Sequence, residues 1–167
     1  EYKAADFDDS SWETVNLPGI LTKSKTRKTI WLRKTFFVPV EWKDRDLAIE
    51  IGKLWDADDT YLNGIKIGST GSEFPDFFSL WNYDRFYFIP DNALRYGETN
   101  VLGIRIFSNC LALFDGKPFI AEERSVRTYN FLRRLFAEYL VIALTVLSIF
   151  LGTLSLLQYF SYRKYII

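Results

Sequence analysis

Two rhythms of hydrophobic residues divide the chain. Over most of its length they come in short runs that alternate with polar positions and stop at turn residues, whereas after Glu138 they become continuous. Residues 139–162, YLVIALTVLSIFLGTLSLLQYFSY, number 24 and none is charged. At about 1.5 Å rise per residue such a helix reaches about 36 Å, enough to cross a hydrocarbon layer of about 30 Å with some tilt. Between residues 140 and 160, 13 positions are Leu, Ile, Val or Phe; together they favour insertion by at most roughly 4–8 kcal/mol. The pattern predicts a transmembrane helix over 136–162. Arg133, Arg134 and Tyr139 stand as interfacial anchors at one end, and Tyr159, Tyr162, Arg163 and Lys164 at the other.

The earlier runs have the period of strands. IWLRKTFFVP over 30–39 is dense in β-branched and aromatic residues and closes on Pro39. In 47–54, Leu47, Ile49 and Ile51 alternate with Ala48, Glu50 and Gly52, the pattern of a strand buried on one face only. Asn63-Gly64, between two β-prone runs, supplies the positive φ angles of a type I′ hairpin turn. RFYFIP over 85–90 and VLGIRIF over 101–107 are further strands, separated by one helical turn that ends at Gly97. Leu111 to Phe114, a turn at Asp115-Gly116 and Phe119-Ile120 predict a last hairpin, and 122–135 a charged connector into the span. Near the start, Trp12, Val15 and Leu17 are the expected buried points, and Arg33 with Lys34 is expected on the outer face of a strand. Many short strands, frequent turn signals and no long soluble helix indicate an antiparallel β-sandwich over 1–121.

Composition narrows the function. The chain has 21 basic and 21 acidic residues, and no segment outside the membrane flank collects the basic ones, so nucleic acid is not an expected partner. A single Cys110 forms no internal disulfide, and the absence of His removes the usual zinc patterns. No metal or other cofactor is expected. The chain also lacks Met, so Glu1 is not an initiator and the sequence is expected to be a piece of a longer protein.

FDDSSW, LPG, IWLRKTFFVP, LAIEIGKLWDADDTYLNGIKIGSTG, RFYFIP and GETNVLGIRIF, in that order, resemble the jelly-roll sugar-binding domain of family 2 glycoside hydrolases, which has a galactose-binding-like fold. The resemblance covers roughly residues 5–120. The same jelly roll resembles the extracytoplasmic sensor of bacterial seven-transmembrane receptors with diverse intracellular signalling modules, where it precedes the first span. The resemblance implies a mainly β protein: an antiparallel jelly-roll β-sandwich followed by one transmembrane α-helix. It further implies a non-catalytic, ligand-sensing and carbohydrate-binding domain of a membrane receptor. A membrane-anchored binding module of a hydrolase, or a module that docks a protein partner, are the alternatives. It carries no sugar-site residues across, because Leu32 stands where the family has an aromatic and the glycine pair before the last hairpin is missing near 111–113.

The ligand candidates are therefore read from the residues themselves. In FPDFFSLWNYDR over 74–85, Trp81 and Tyr83 can stack on a sugar ring while Asn82, Asp84 and Arg85 hydrogen-bond its hydroxyls; packing over the end of the sandwich is the commoner use of such a loop. Trp55 and Asp56 join this set. Asp56, Asp58 and Asp59 could hold calcium or sugar hydroxyls, but short carboxylates before a hairpin more often satisfy turn amides. No catalytic residue is expected, since no nucleophile motif or His is present and the hydrolase family's catalytic residues belong to another domain. Along the span, Thr145, Ser148, Gly152 and Ser155 form one small-residue stripe, the pattern of close helix packing and homodimers; such residues are also common in spans that pack on nothing.

Membrane lipid is thus an expected partner and a bacterial inner membrane the expected location. Four arginines, Arg124, Arg127, Arg133 and Arg134, precede the span, and a literal positive-inside reading would put the N-terminus in the cytoplasm. The receptor order instead places residues 1–130 in the periplasm, and folded domains translocate largely regardless of charge. Residues 163–167 are expected to begin the next loop.

Overall fold

The computed structural model describes residues 2–24 and 26–163. Lys164 and nearly all of the loop expected after the span lie outside them. Among the described residues, nine strands form two antiparallel sheets. One sheet takes β1 (Gly19–Lys23), β8 (Leu111–Asp115), β3 (Leu47–Leu54) and β6 (Asp84–Phe88) in that order, with β9 (Phe119–Glu122) also on β3. The other takes β2 (Lys28–Phe37), β7 (Thr99–Ser108), β4 (Ala57–Leu62) and β5 (Ile65–Thr70). Between the sheets Leu47, Ile49, Ile51 and Leu54 of β3 pack with Leu102, Ile104 and Ile106 of β7 and with Leu62 and Phe114. The expected sandwich is present, and the Asn63-Gly64 turn joins β4 to β5 with φ values of 49° and 86°.

Several details differ from the sequence reading. β8 and β9 do not form a hairpin. Both lie antiparallel to β3, β9 against Leu47–Glu50 and β8 against Lys53 and Leu54, so they act as one interrupted strand kinked over 116–118. β3 is an interior strand, with β6 on one side and β8 and β9 on the other, and it is buried on both faces rather than one: Ala48 and Glu50 are enclosed as well as Leu47, Ile49 and Ile51. Val15 is 44% exposed, while Leu17 packs against the core and Trp12 joins an aromatic cluster with Tyr2 and Phe7.

Arg33 and Lys34 also part company. Adjacent strand residues point to opposite faces. Arg33 is on the outer face, where its guanidinium donates to the carbonyls of Tyr2, Ala4 and Phe7 and pairs with Asp9 at 2.8 Å, strapping the N-terminal segment over the sheet. Lys34 shares the inward row with Leu32 and Phe36.

The charged stretch after β9 is helical. Helix α1 (Glu123–Arg134) starts immediately after β9, with the Glu123 amide donating to Asp46 O, and passes through a π-helical turn (Leu135–Tyr139) into α2 (Leu140–Arg163). The chain divides into two compact units after Val126. Among the described residues this one helix, Glu123–Arg163, is long and apolar enough to cross a membrane.

Candidate functional site

The sandwich places a pair of exposed tryptophans together from two distant stretches. Trp55 follows β3 in the tight link to β4; Trp81 sits in the loop between β5 and β6. Their ring centroids are 5.9 Å apart at an interplanar angle of 56°. Trp55 is 42% exposed and Trp81 57%, with Phe78, Leu80 and Tyr83 exposed in the same loop. Large aromatic faces left open in this number on one loop are unusual for a surface that only covers a core.

Trp55 is fixed through its backbone, and the loop that carries Trp81 is bonded to it. The Trp55 amide donates to Leu113 O at 3.1 Å, and the Trp55 carbonyl accepts from Ser79 Oγ at 2.6 Å, which ties the two stretches directly. A polar pair flanks the rings: Lys53 Nζ donates to Asn82 Oδ1 at 3.1 Å.

Underneath lies Arg85, which is fully buried. Its Nε donates to Asp58 Oδ1 at 3.0 Å, Nη1 to the carbonyls of Leu80 and Tyr83 at 3.1 and 2.7 Å, and Nη2 to Asp56 O at 2.6 Å. These carbonyls flank Trp81 on both sides and follow Trp55. One guanidinium therefore sets the backbone under both rings, a use that its planar fork of donors suits and a lysine could not reproduce. Asp58 also accepts from Tyr87 Oη at 2.9 Å and Thr60 Oγ1 at 3.0 Å. Burial pushes the Asp58 carboxyl upward while Arg85 and these hydrogen bonds pull it back; burial and the Asp58 charge push the Tyr87 hydroxyl strongly upward, so it stays a donor.

The predicted ligand residues thus separate into two groups. Trp55, Trp81, Asn82 and Tyr83 share the surface. Asp56, Asp84 and Arg85 are buried, and the Arg85 donors are taken up by the protein, so Arg85 positions the surface rather than facing a ligand. The acidic run splits as well: Asp58 turns inward to Arg85, whereas Asp59 pairs with Lys66 at 2.5 Å and Arg105 at 2.8 Å. Those directions follow from alternation along β4 and do not converge on one cation.

Lys53, Ser79 and the role of Arg85 were not singled out from the sequence. The signal for Arg85 was present in the pattern: Arg85, Tyr87 and Ile89 share one parity in a strand, and so do Asp58 and Thr60, so polar residues occupy core-facing rows in two strands at once. In α2 the hydroxyls of Thr145, Ser148 and Ser155 donate to Val141, Leu144 and Leu151 carbonyls of the same helix at 2.8–2.9 Å. A Cβ on Gly152 would meet nothing within 4 Å.

No protein-family model matches the chain. The beta-glucuronidase of Formosa agariphila is 25% identical over 117 residues, which cover 60% of this chain and 11% of that protein. Among solved structures, a glycosyl hydrolase family 2 member from Bacteroides cellulosilyticus superposes with a TM-score of 0.57 at 18% identity, covering 72% of this chain and 18% of the other. A calcium-binding mutant of Bacteroides uniformis beta-glucuronidase 2 gives 0.58 at 16% identity, with 71% and 15% covered. The chain spans about a tenth of the length of the curated relative and less than a fifth of these structures. Its β-sandwich has the fold of a domain found in glycosyl hydrolase family 2 proteins.

Proposed function

We propose that this chain is a non-catalytic, carbohydrate-binding β-sandwich held at a membrane by α2, with the sandwich on the extracytoplasmic side. The observation that carries the reading is the exposed Trp55–Trp81 pair: Ser79 holds the Trp55 carbonyl, and Arg85 holds the carbonyls of Asp56, Leu80 and Tyr83 beside the two rings, before any ligand arrives. Sugar rings present apolar C–H faces that suit aromatic surfaces, and a rigid platform loses little freedom on binding. Asn82 and Lys53 at its rim supply a polar acceptor and donors for hydroxyls. The resemblance to a non-catalytic part of much longer hydrolases supports binding over catalysis. The apolar length of α2 supports a membrane anchor.

A sensor role is the second reading. It is favoured by the junction after the sandwich, where β9 ends at Glu122 and the helix begins at Glu123 with no loop between them. In that reading a ligand state in the sandwich has a direct covalent route to the membrane helix. Dimerisation through Ser148 and Gly152 would belong to it, as packing of a small-residue face, since the hydroxyls along that face are already bonded within the helix.

The test is calorimetric titration of the full chain in lipid nanodiscs with neutral and acidic mono- and oligosaccharides. Trp55→Ala and Trp81→Ala should each weaken binding about 2- to 12-fold, the range expected for one lost aromatic contact. Glycan affinity that survives both substitutions would place the site elsewhere, and no affinity for any glycan would leave the sandwich as a protein-docking module.

A further inference from the structure

A groove runs along the open side of the sandwich, away from the tryptophan pair, where β2 ends its sheet and the chain at Pro118 leads into β9. Two hollows of about 310 and 280 Å³ share Lys34, Leu102 and Pro118 in their walls, so they form one depression. Its floor is apolar, made by Leu32, Leu102 and Ile104 at one end and Phe36 and Ile49 at the other. Volumes of this size stand at the lower end of small-molecule sites, which run from about 300 Å³ upward.

Lys34 breaks the pattern of that floor. It occupies an inward row opposite Leu102, between Leu32 and Phe36, a row that is otherwise hydrophobic from Ile30 onward. Lys117 reaches the same groove from the segment between β8 and β9. Both lysines are exposed, and among the described residues neither side chain has a hydrogen bond or an ion pair, although the chain as a whole has as many acidic as basic residues. Two ammonium groups without an acidic partner beside one apolar floor make a surface complementary to a molecule with an apolar body and a single acidic group.

We propose that this groove binds a small amphiphilic anion, a carboxylate or sulfonate on a flat or chain-like apolar body. The acid group is met by the ammonium groups of Lys34 and Lys117, and the body lies on Leu32, Leu102 and Ile104. The long apolar stems of both lysines allow their heads to follow the acid group. A different use of Lys34 is known in sheets: an inward-pointing charge on an edge strand discourages pairing with another chain. That use needs no ligand and predicts different behaviour.

The full chain in lipid nanodiscs, with empty nanodiscs subtracted, would be titrated with naphthalene-2-carboxylate and with the uncharged naphthalene-2-methanol by ligand-observed NMR. The carboxylate should bind at least tenfold more tightly than the alcohol. Lys34→Gln with Lys117→Gln should remove that difference and leave alcohol binding unchanged, and Lys34→Arg with Lys117→Arg should restore it. Trp55→Ala should change neither, which separates this site from the glycan surface. Equal binding of acid and alcohol to the unaltered chain would overturn the proposal. So would a glutamine variant that self-associates yet keeps its preference for the acid, the behaviour of an edge guard alone.

Discussion

Gly52 and Gly116 meet backbone to backbone: a Cβ built on Gly52 would lie 2.8 Å from Gly116 Cα, and one built on Gly116 would lie 2.9 Å from Gly52 Cα. The contact falls where β3 exchanges β9 for β8 as its neighbour, beside the register shift between Glu50 and Gly52. Gly52 also has a φ of 92°, which a side chain disfavours. Gly116→Ala should therefore destabilise the sandwich by about 1–3 kcal/mol through crowding alone. Gly52→Ala carries the same crowding and a further backbone strain of about 1–3 kcal/mol. Thermal unfolding followed by circular dichroism should rank them with Gly52→Ala the worse; equal midpoints would remove the strain argument.

That contact also explains what could and could not be read from the sequence. The strands themselves, the Asn63-Gly64 turn and the helix were legible, because alternation, turn chemistry and an uncharged run are local signals. The pairing of β8 and β9 was not. Asp115-Gly116 has the composition of a hairpin turn, yet the glycine serves a close approach to Gly52 more than sixty positions earlier, and no local pattern encodes it. The same holds for the site: Trp81 could be named as an exposed aromatic, but its meeting with Trp55, and the burial of Arg85 beneath both, depend on contacts between β3, β4 and β6. Lys34, expected beside Arg33 on the outer face, lies in the inward row instead, because strand alternation sends neighbours to opposite faces.

Arg85 should be the most sensitive charged position in the sandwich. Arg85→Met leaves Asp58 buried without its cation and frees three carbonyls, for an expected loss of about 3–5 kcal/mol. Asp58→Asn with Arg85→Met removes the stranded charge as well, so the double variant should be more stable than Arg85→Met by itself. Unfolding midpoints of the three proteins test this, and a double variant that melts below Arg85→Met would show that the pair is not coupled as described. Arg85→Lys should keep a charge near Asp58 but release the backbone around Trp81, detectable as a change in tryptophan emission.

Acid should favour the fold through Asp56. Burial pushes its carboxyl above the ordinary value of 3.8, opposed by Ser108, the Asn109 backbone and Arg85. A carboxyl that holds its proton more tightly when folded makes the folded state relatively more stable below the unfolded value; that advantage is lost as pH rises through the folded value. Asp56→Asn removes the ionisable group. The variant should melt at a higher temperature than the unaltered protein near pH 7, and the gap should close as pH falls below about 4. A gap that stays constant with pH would mean that the substitution acts through packing instead.

Asn63 does more than make a turn, and three substitutions separate its two roles. Its φ of 49° suits the first turn position, where Asn and Gly are both favoured. Its side chain also links the hairpin to the start of β7 and to the turn before it: Nδ2 donates to Ala93 O at 2.8 Å and to Asn100 Oδ1 at 2.7 Å, and Oδ1 accepts from the Val101 amide at 2.9 Å. Asn100, which is fully buried, in turn holds the carbonyls of Arg95 and Glu98. Asn63→Gly keeps the turn and deletes the link, leaving the Val101 amide without its acceptor, for an expected loss of about 1–3 kcal/mol. Asn63→Ala deletes the same link and adds the strain of a positive φ, so it should be less stable than the glycine variant. Asn63→Asp keeps the acceptor for Val101 and tolerates the φ, but sets a carboxylate against the Ala93 carbonyl and the Asn100 Oδ1, so it should fall below the native residue. Hydrogen exchange at the Val101 amide is the direct readout, since protection there should drop in the glycine and alanine variants and persist with aspartate. If glycine at 63 left both the melting temperature and that protection unchanged, the side-chain link would contribute nothing, and the position would be explained by turn geometry alone.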